Sequence, residues 1–262
     1  RRGDHLPIVA VAQLFLSRAL RPDGGIMVDG AFGPRTKEAV KQFQVRQGLN
    51  PSGIIDGPTW QRLNSQNGQI IDSVDATENV DERGRMRGET DRHREWEETD
   101  IRGAGGDPNV TYGMTKGARH VLTSVRAMAH TGNVLLLRFH GHGSPGNQVL
   151  SSGTMGGVGS EIRAEFFRNE NSREVLGQLR PIFSPFSSVQ LMGCNVGRGE
   201  RGYRLLQGLT EVWGVPISAG MNTQWGGGPA TFVFEGPVRT VFPNGLNLRT
   251  WAAQLPGANS CL

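Results

Sequence analysis

Two short polar stretches carry the side chains best suited to chemistry in this chain. One is His140-Gly141-His142-Gly143, and the other is Gly193-Cys194. A cysteine becomes a useful nucleophile when a nearby histidine takes its proton. Glycines beside both residues let a substrate backbone approach and leave backbone N–H groups for an oxyanion. The residue types therefore predict a thiol–imidazole site, provided that the fold brings the two stretches together.

The segments in front of these stretches are typical of buried parallel strands, because they are short and largely apolar. Strands and helices are predicted to alternate, in the order helix 116–130, strand 133–139, strand 188–192, helix 202–213 and strand 215–219. This alternation indicates a parallel sheet with covering helices. In such sheets the site lies at the carboxyl ends of the strands, so we expect the histidines and Cys194 to share one crevice.

Residues 135–143, followed by residues 189–194, resemble the caspase-like cysteine peptidases, which include caspases, gingipains, separases and CHAT-domain proteases. The likeness is closest to the separases and the CHAT-domain proteases. It implies that Cys194 is the nucleophile, that His142 is the general acid/base, and that the N–H of Gly143 donates to the oxyanion.

This resemblance covers roughly residues 110–245. Two features of the sequence qualify what it implies. His140 is also followed by glycine, so it is the alternative to His142 as the catalytic histidine. Met192 stands where caspases carry a glutamine that helps to bind an aspartate side chain, so a preference for aspartate is not implied.

Two other functions account for the same residues. His140, His142 and Cys194 could be ligands of a zinc-dependent peptidoglycan hydrolase, although the chain lacks His-Glu-x-x-His. A caspase-like fold could also serve binding alone, with an idle cysteine and histidine. A papain-like thiol amidase is not expected, because no histidine follows Cys194 along the chain.

The N-terminal region has three predicted helices, over residues 8–20, from Pro34 to the stop at Gly48, and over 58–63. The turns before the second and third helices are similar. Each places Gly where the backbone must turn and Pro in the first helical turn, where its missing N–H costs little.

Residues 28–36, with the stretches 39–44 and 53–60, resemble the peptidoglycan-binding domain family. The likeness covers about residues 6–65. It implies a small three-helix unit that docks wall glycopeptide in a shallow groove, with Phe43 and Trp60 as substrate-binding residues. The same likeness implies that this segment binds the wall polymer on its own.

The predicted fold is a small all-α three-helix domain plus an α/β caspase-like domain with a mostly parallel central sheet. The expected boundaries are residues 1–68 for the wall-binding domain, 69–108 for a charged linker and 109–262 for the α/β domain. The linker is rich in charge and poor in apolar residues, as in segments that do not fold alone. Its arginines make it a candidate site of self-processing, since proteolysis concentrates in exposed segments; the arginines are Arg83, Arg85, Arg87, Arg92 and Arg94.

The composition limits the partners. There are 28 basic and 24 acidic residues, with no basic cluster interleaved with aromatics, so nucleic-acid binding is not expected. A run of 18 apolar residues does not occur, so no membrane-spanning segment is expected. The two cysteines, Cys194 and Cys261, do not form a disulfide framework. The expected partners are peptidoglycan and a protein or peptide substrate, without a metal or cofactor, in a bacterial cell envelope or outside the cell.

Overall fold

The structure is a computed structural model, and it describes residues 5–22, 25–64, 67–76, 98–111, 117–151, 160–224 and 232–258. The N-terminal part contains the three predicted helices, which are α1 (Pro7–Ala19), α2 (Pro34–Arg46) and α3 (Gly57–Leu63). Each has a proline in its first turn, where a missing N–H costs no helical hydrogen bond. The side chain of Asp56 caps α3 by accepting the Thr59 N–H at 2.9 Å.

A six-stranded sheet forms the centre of the protein, in the order β2-β1-β3-β7-β8-β9. Its strands are β1 (Gln69–Asp75), β2 (Asp107–Thr111), β3 (Val134–His140), β7 (Phe183–Leu191), β8 (Ile217–Gly220) and β9 (Val238–Val241). All neighbouring strands are parallel except β8 and β9. A small antiparallel sheet follows β3 and consists of β4 (Gly143–Ser144), β5 (Asn147–Val149) and β6 (Glu161–Arg163). The predicted fold class, helices followed by a mostly parallel α/β sheet, is confirmed.

Three helices cover one face of the large sheet: α4 (Ala118–Met128), α5 (Glu170–Gly177) and α6 (Gly199–Trp213). Their apolar sides bury a core in which Leu137 of β3 and Leu191 of β7 are fully inaccessible. Trp213 is anchored in this core, because its indole N–H donates to the Leu176 carbonyl at 2.8 Å. Among the helices of the described residues, none combines the length and apolar character needed to cross a bilayer.

The N-terminal helices cover the opposite face of the sheet. Phe15 of α1 packs against Phe186 of β7 with ring centroids 5.7 Å apart, and against Trp60 of α3 at 6.4 Å. Helix α7 (Leu248–Ala252) completes this second core through Trp251. Helix α1 is buried along most of its length, because it has α2 and α3 on one side and the sheet on the other. The two predicted domains therefore share one apolar core.

The segment 69–108 differs from the expected linker at both of its ends. Residues 69–75 form β1, which lies inside the sheet between β2 and β3. Residues 98–103 are helical, with Ile101 fully buried. Strand β1 was not predicted, because its polar side chains interrupt the apolar run that is typical of a buried strand. The arginines considered for self-processing lie within 77–97, outside the described residues.

Gly30 and Gly57 lie in the turns that lead into α2 and α3, and each packs closely against another part of the chain. A Cβ atom on Gly57 would be 2.2 Å from the carbonyl oxygen of Gly103. A Cβ atom on Gly30 would be 2.6 Å from a methyl carbon of Leu248 in α7. Both turns therefore need glycine for close packing as well as for turning the chain.

Replacing Gly57 by Ala tests this packing. We expect the free energy of unfolding to fall by about 1–3 kcal/mol, because the Gly103 backbone must move away from the new methyl group. Gly33→Ala is the matched control, since Gly33 also precedes a helix-starting proline but a Cβ atom there would have nothing within 4 Å. Its effect should stay within about 0.5 kcal/mol in urea denaturation. Equal effects of the two substitutions would contradict the close packing of Gly57 against Gly103.

Candidate active site

The two glycine-flanked stretches leave the same edge of the sheet. Phe139 of β3 is paired with Leu191 of β7, and the Met192 N–H donates to the Phe139 carbonyl at 2.9 Å. His142 and Cys194 follow within three residues of this pair. The expected position of both side chains at the carboxyl edge agrees with this parallel register.

The backbones of the two stretches are in contact. A Cβ atom on Gly143 would lie 3.0 Å from the Cys194 nitrogen and 2.4 Å from a methyl carbon of Val196. A Cβ atom on Gly193 would lie 2.9 Å from the His142 carbonyl oxygen. Side chains at either glycine would push the stretches apart, so both glycines are required for the approach of the histidine stretch to the cysteine stretch.

Gln148 of β5 joins the two stretches through its buried side chain. Its Oε1 accepts the Gly193 N–H at 3.0 Å, and its Nε2 donates to the Val149 carbonyl at 2.9 Å. The Val149 N–H in turn donates to the His142 carbonyl at 2.9 Å. Sequence reasoning missed Gln148, because a single glutamine in a three-residue strand carries no signal of burial.

The thiol of Cys194 is partly buried and meets the backbone of one residue. The Gln224 N–H donates to Sγ, and Sγ donates to the Gln224 carbonyl, each at 3.3 Å. His142 is exposed at the surface beside this edge. His142 is thus an exposed residue, whereas the sulfur of Cys194 is covered on one side.

Beside the site, Asp72 of β1 is fully buried and binds two side chains of β3. Its carboxylate accepts from Arg138 Nε at 2.6 Å and Nη2 at 2.8 Å. His140 Nε2 lies 2.7 Å from Asp72 Oδ1 and must be the donor, since an ionised carboxylate only accepts. The ring of His140 is therefore held on the face of the sheet by Asp72.

The charges around Asp72 determine the protonation state of its carboxyl group. Burial alone raises the pKa of the Asp72 carboxyl, but the Arg138 guanidinium and the His140 hydrogen bond outweigh burial and hold that pKa well below its usual value. Phe232 closes the group, with its ring 4.4 Å from the Arg138 guanidinium carbon and its centroid 6.0 Å from that of His140. The result is a paired, water-shielded carboxylate beside the histidine stretch.

A zinc site would need at least three converging ligands. Within the part of the chain that the structure describes, no group of three or more His, Cys, Asp or Glu side chains could hold a metal ion. His140, one of the expected ligands, instead contacts Asp72.

The expectation that Phe43 and Trp60 contact the wall polymer is corrected by their positions. Phe43 is 2% exposed and Trp60 is 6% exposed, and both lie in the core that α1 shares with the sheet. Aromatic residues at these positions hold the three helices together, so neither ring is offered to a ligand at the surface.

Replacing Asp72 by Asn should destabilise the protein by about 3–5 kcal/mol at pH 7, because Arg138 would stay buried without its charge partner. Folding lowers the pKa of Asp72, so its contribution is present above the unfolded pKa of about 3.9 and is lost as pH falls toward the folded pKa. The difference between wild type and Asp72→Asn should therefore shrink below about pH 4.

Urea denaturation at several pH values measures this difference. Asp107→Asn, a partly exposed carboxyl on the edge strand β2, is the matched control and should change stability by less than about 0.5 kcal/mol. An Asp72→Asn protein as stable as wild type at pH 7 would show that the buried ion pair contributes nothing.

Comparison with known proteins identifies the N-terminal part. Residues 6–63 match the family described as "Putative peptidoglycan binding domain". An uncharacterized protein in the bpoA1 3' region of Kitasatospora aureofaciens is 50% identical over 42 residues, which are 16% of this chain and 36% of that protein. The matched stretch thus spans about a third of that relative's length. No solved structure matches the chain. The match supports association with the cell wall, and residues 6–63 form a peptidoglycan-binding domain of three helices.

Proposed function

We propose that the protein is a cell-wall-targeted cysteine endopeptidase in which Cys194 and His142 form the catalytic dyad. The observation that carries the proposal is the contact of Gly143 with Gly193 and Cys194 at the carboxyl edge of the sheet. The peptidoglycan-binding domain supplies the targeting. The resemblance of both stretches to caspase-like peptidases supports the same reaction.

In the proposed mechanism His142 takes the proton of the Cys194 thiol, and the thiolate attacks the scissile carbonyl carbon. The N–H of Gly143 donates to the oxyanion that forms. His142 then protonates the leaving amine, and a water molecule, deprotonated by His142, hydrolyses the thioester. Every proton that His142 takes is returned, so the free enzyme is regenerated.

The choice of His142 over His140 rests on the contacts of His140 and on the exposure of His142. The His140 ring is bound to the buried Asp72 carboxylate and to the edge of Phe232. His142 is exposed, and its carbonyl is adjacent to Gly193 at the cysteine stretch. His142 is thus the histidine that can reach a substrate at the edge.

The wall polymer is proposed to bind along the exposed side of α2. Lys37, Lys41 and Val45 follow one another at four-residue spacing, and the turn at Gly53 packs on both lysine side chains. Val45 and Ile54 are each 64% exposed. These four side chains, the α2 strip (Lys37, Lys41, Val45 and Ile54), combine apolar contact for sugar rings with positive charge for the carboxylates of the wall peptides.

Ile54→Asp should weaken binding of the whole protein to insoluble sacculi by about tenfold, because it removes an apolar contact and adds a repelling charge. Pull-down with increasing amounts of sacculi measures the dissociation constant. Met27→Asp is the control, since Met27 is 68% exposed on the same domain but outside the α2 strip. Equal weakening by both substitutions would show that the strip is not the binding surface.

Cleavage of a peptide library by the whole protein tests the dyad. Cys194→Ala should lower kcat/KM by at least about 10³-fold, and His142→Ala by about 10²–10⁴-fold. Cys261→Ala and His120→Ala are the matched controls and should keep full activity, His120 being exposed on α4. Full activity of Cys194→Ala would overturn the proposal, and loss of activity only in His140→Ala would exchange the two histidines.

Self-processing is proposed within the charged segment that begins after β1. New termini of the incubated wild-type protein, identified by mass spectrometry, should fall next to Arg83, Arg85 or Arg87, and Cys194→Ala should stay whole. A wild-type chain that stays intact while it cleaves added peptides would exclude self-processing but not the dyad.

A further inference from the structure

The backbone of Gln224 lies directly against the thiol of Cys194. Its N–H and its carbonyl oxygen are both 3.3 Å from Sγ, one as donor and the other as acceptor. One peptide residue thus occupies two directions in which the sulfur could meet another group. A substrate carbonyl that approaches from this side finds the position taken.

The segment that contains Gln224 runs beside the cysteine stretch and is paired with it. The Asn195 N–H donates to the Asn222 carbonyl at 2.8 Å, and the Gly197 N–H donates to the Gly220 carbonyl at 2.9 Å. These two bonds join the segment after β7 to the end of β8 and to the segment that follows it, beyond the paired residues of the two strands. The hydrogen bonds between the Gln224 backbone and Cys194 Sγ add another contact between the same two segments.

The side chain of Gln224 fixes the end of this segment. Its Nε2 donates to the carbonyls of Asn222 at 2.9 Å and Glu235 at 3.1 Å, and its Oε1 accepts the Glu235 N–H at 2.7 Å. Gly220 leaves the space for this amide, because a Cβ atom there would be 2.6 Å from Nε2. All hydrogen-bonding capacity of the amide except one lone pair is thus directed at local backbone.

We infer that Gln224 is a latch that keeps its own backbone over the Cys194 thiol in the resting protein. The S–H bond to the Gln224 carbonyl is satisfied only while the thiol keeps its proton, since a thiolate cannot donate. Attack on a carbonyl carbon also requires the sulfur to face the substrate, so a substrate that approaches from the covered side can react only after the segment 222–224 has moved. The latch rests on the proposed function and deepens it, because it covers the proposed nucleophile and would regulate its access.

The rate of alkylation of Cys194 by iodoacetamide tests the latch on the whole protein without requiring peptidase activity. Gln224→Ala removes three hydrogen bonds of the closed arrangement, and we expect the second-order rate at Cys194 to rise by about tenfold. Gln224→Glu keeps an acceptor for the Glu235 N–H but places a carboxylate against two carbonyl oxygens, so it should also raise the rate. Peptide mass spectrometry measures Cys194 separately from Cys261.

Gln207→Ala is the matched control, because Gln207 is an exposed glutamine on α6 whose amide bonds Glu211. Its alkylation rate should equal that of wild type. Circular dichroism and a thermal transition establish that each variant is folded, and if one Gln224 variant is not, the other decides. Wild-type rates in a folded Gln224 variant, or an equal increase in Gln207→Ala, would overturn the latch. Increased alkylation without peptide cleavage would leave the latch standing and reject the proposed function.

Discussion

The buried carboxylate of Asp72 holds together the part of the sheet from which the candidate active site emerges. It lies in the middle of β1, where an isolated charge would be strongly unfavourable. Arg138 supplies the opposite charge and His140 a further hydrogen bond, both from the strand that leads into the histidine stretch. This charged group therefore contributes to the pairing of β1 with β3 and to the position of the residues after β3.

This pairing also explains which elements could be predicted. The apolar runs before His140 and Cys194 mark β3 and β7 because they are buried on both faces, and the spacing of Pro34 and Pro58 marks two helix starts. Strand β1 could not be recognised, because Asp72 is compatible with burial only when Arg138 lies beside it. That partner is 66 residues away in the sequence.

In the candidate site, too, some residues could be predicted from the sequence and others could not. Glycine-flanked histidine and cysteine residues after buried strands indicate the location of a site, since parallel strands end at one edge. The supporting residues are not marked in this way. Gln148 and Gln224 act through hydrogen bonds to backbone groups of other segments, and nothing in the sequence marks a polar residue as a donor or acceptor of such bonds. Phe43 and Trp60 show the converse, because aromatic residues that mark a family resemblance can serve the core rather than the ligand.

Helix α1 has a consequence for the reach of the protein. A module on a long flexible tether lets its partner sweep a volume whose radius grows with the length of the tether. Here α1 is packed on β7 through Phe15 and Phe186, so the N-terminal helices and the sheet keep a fixed position relative to each other. If the α2 strip binds the wall polymer as proposed, the fold itself sets the distance from the polymer to the carboxyl edge of the sheet, and only targets at that distance can be reached.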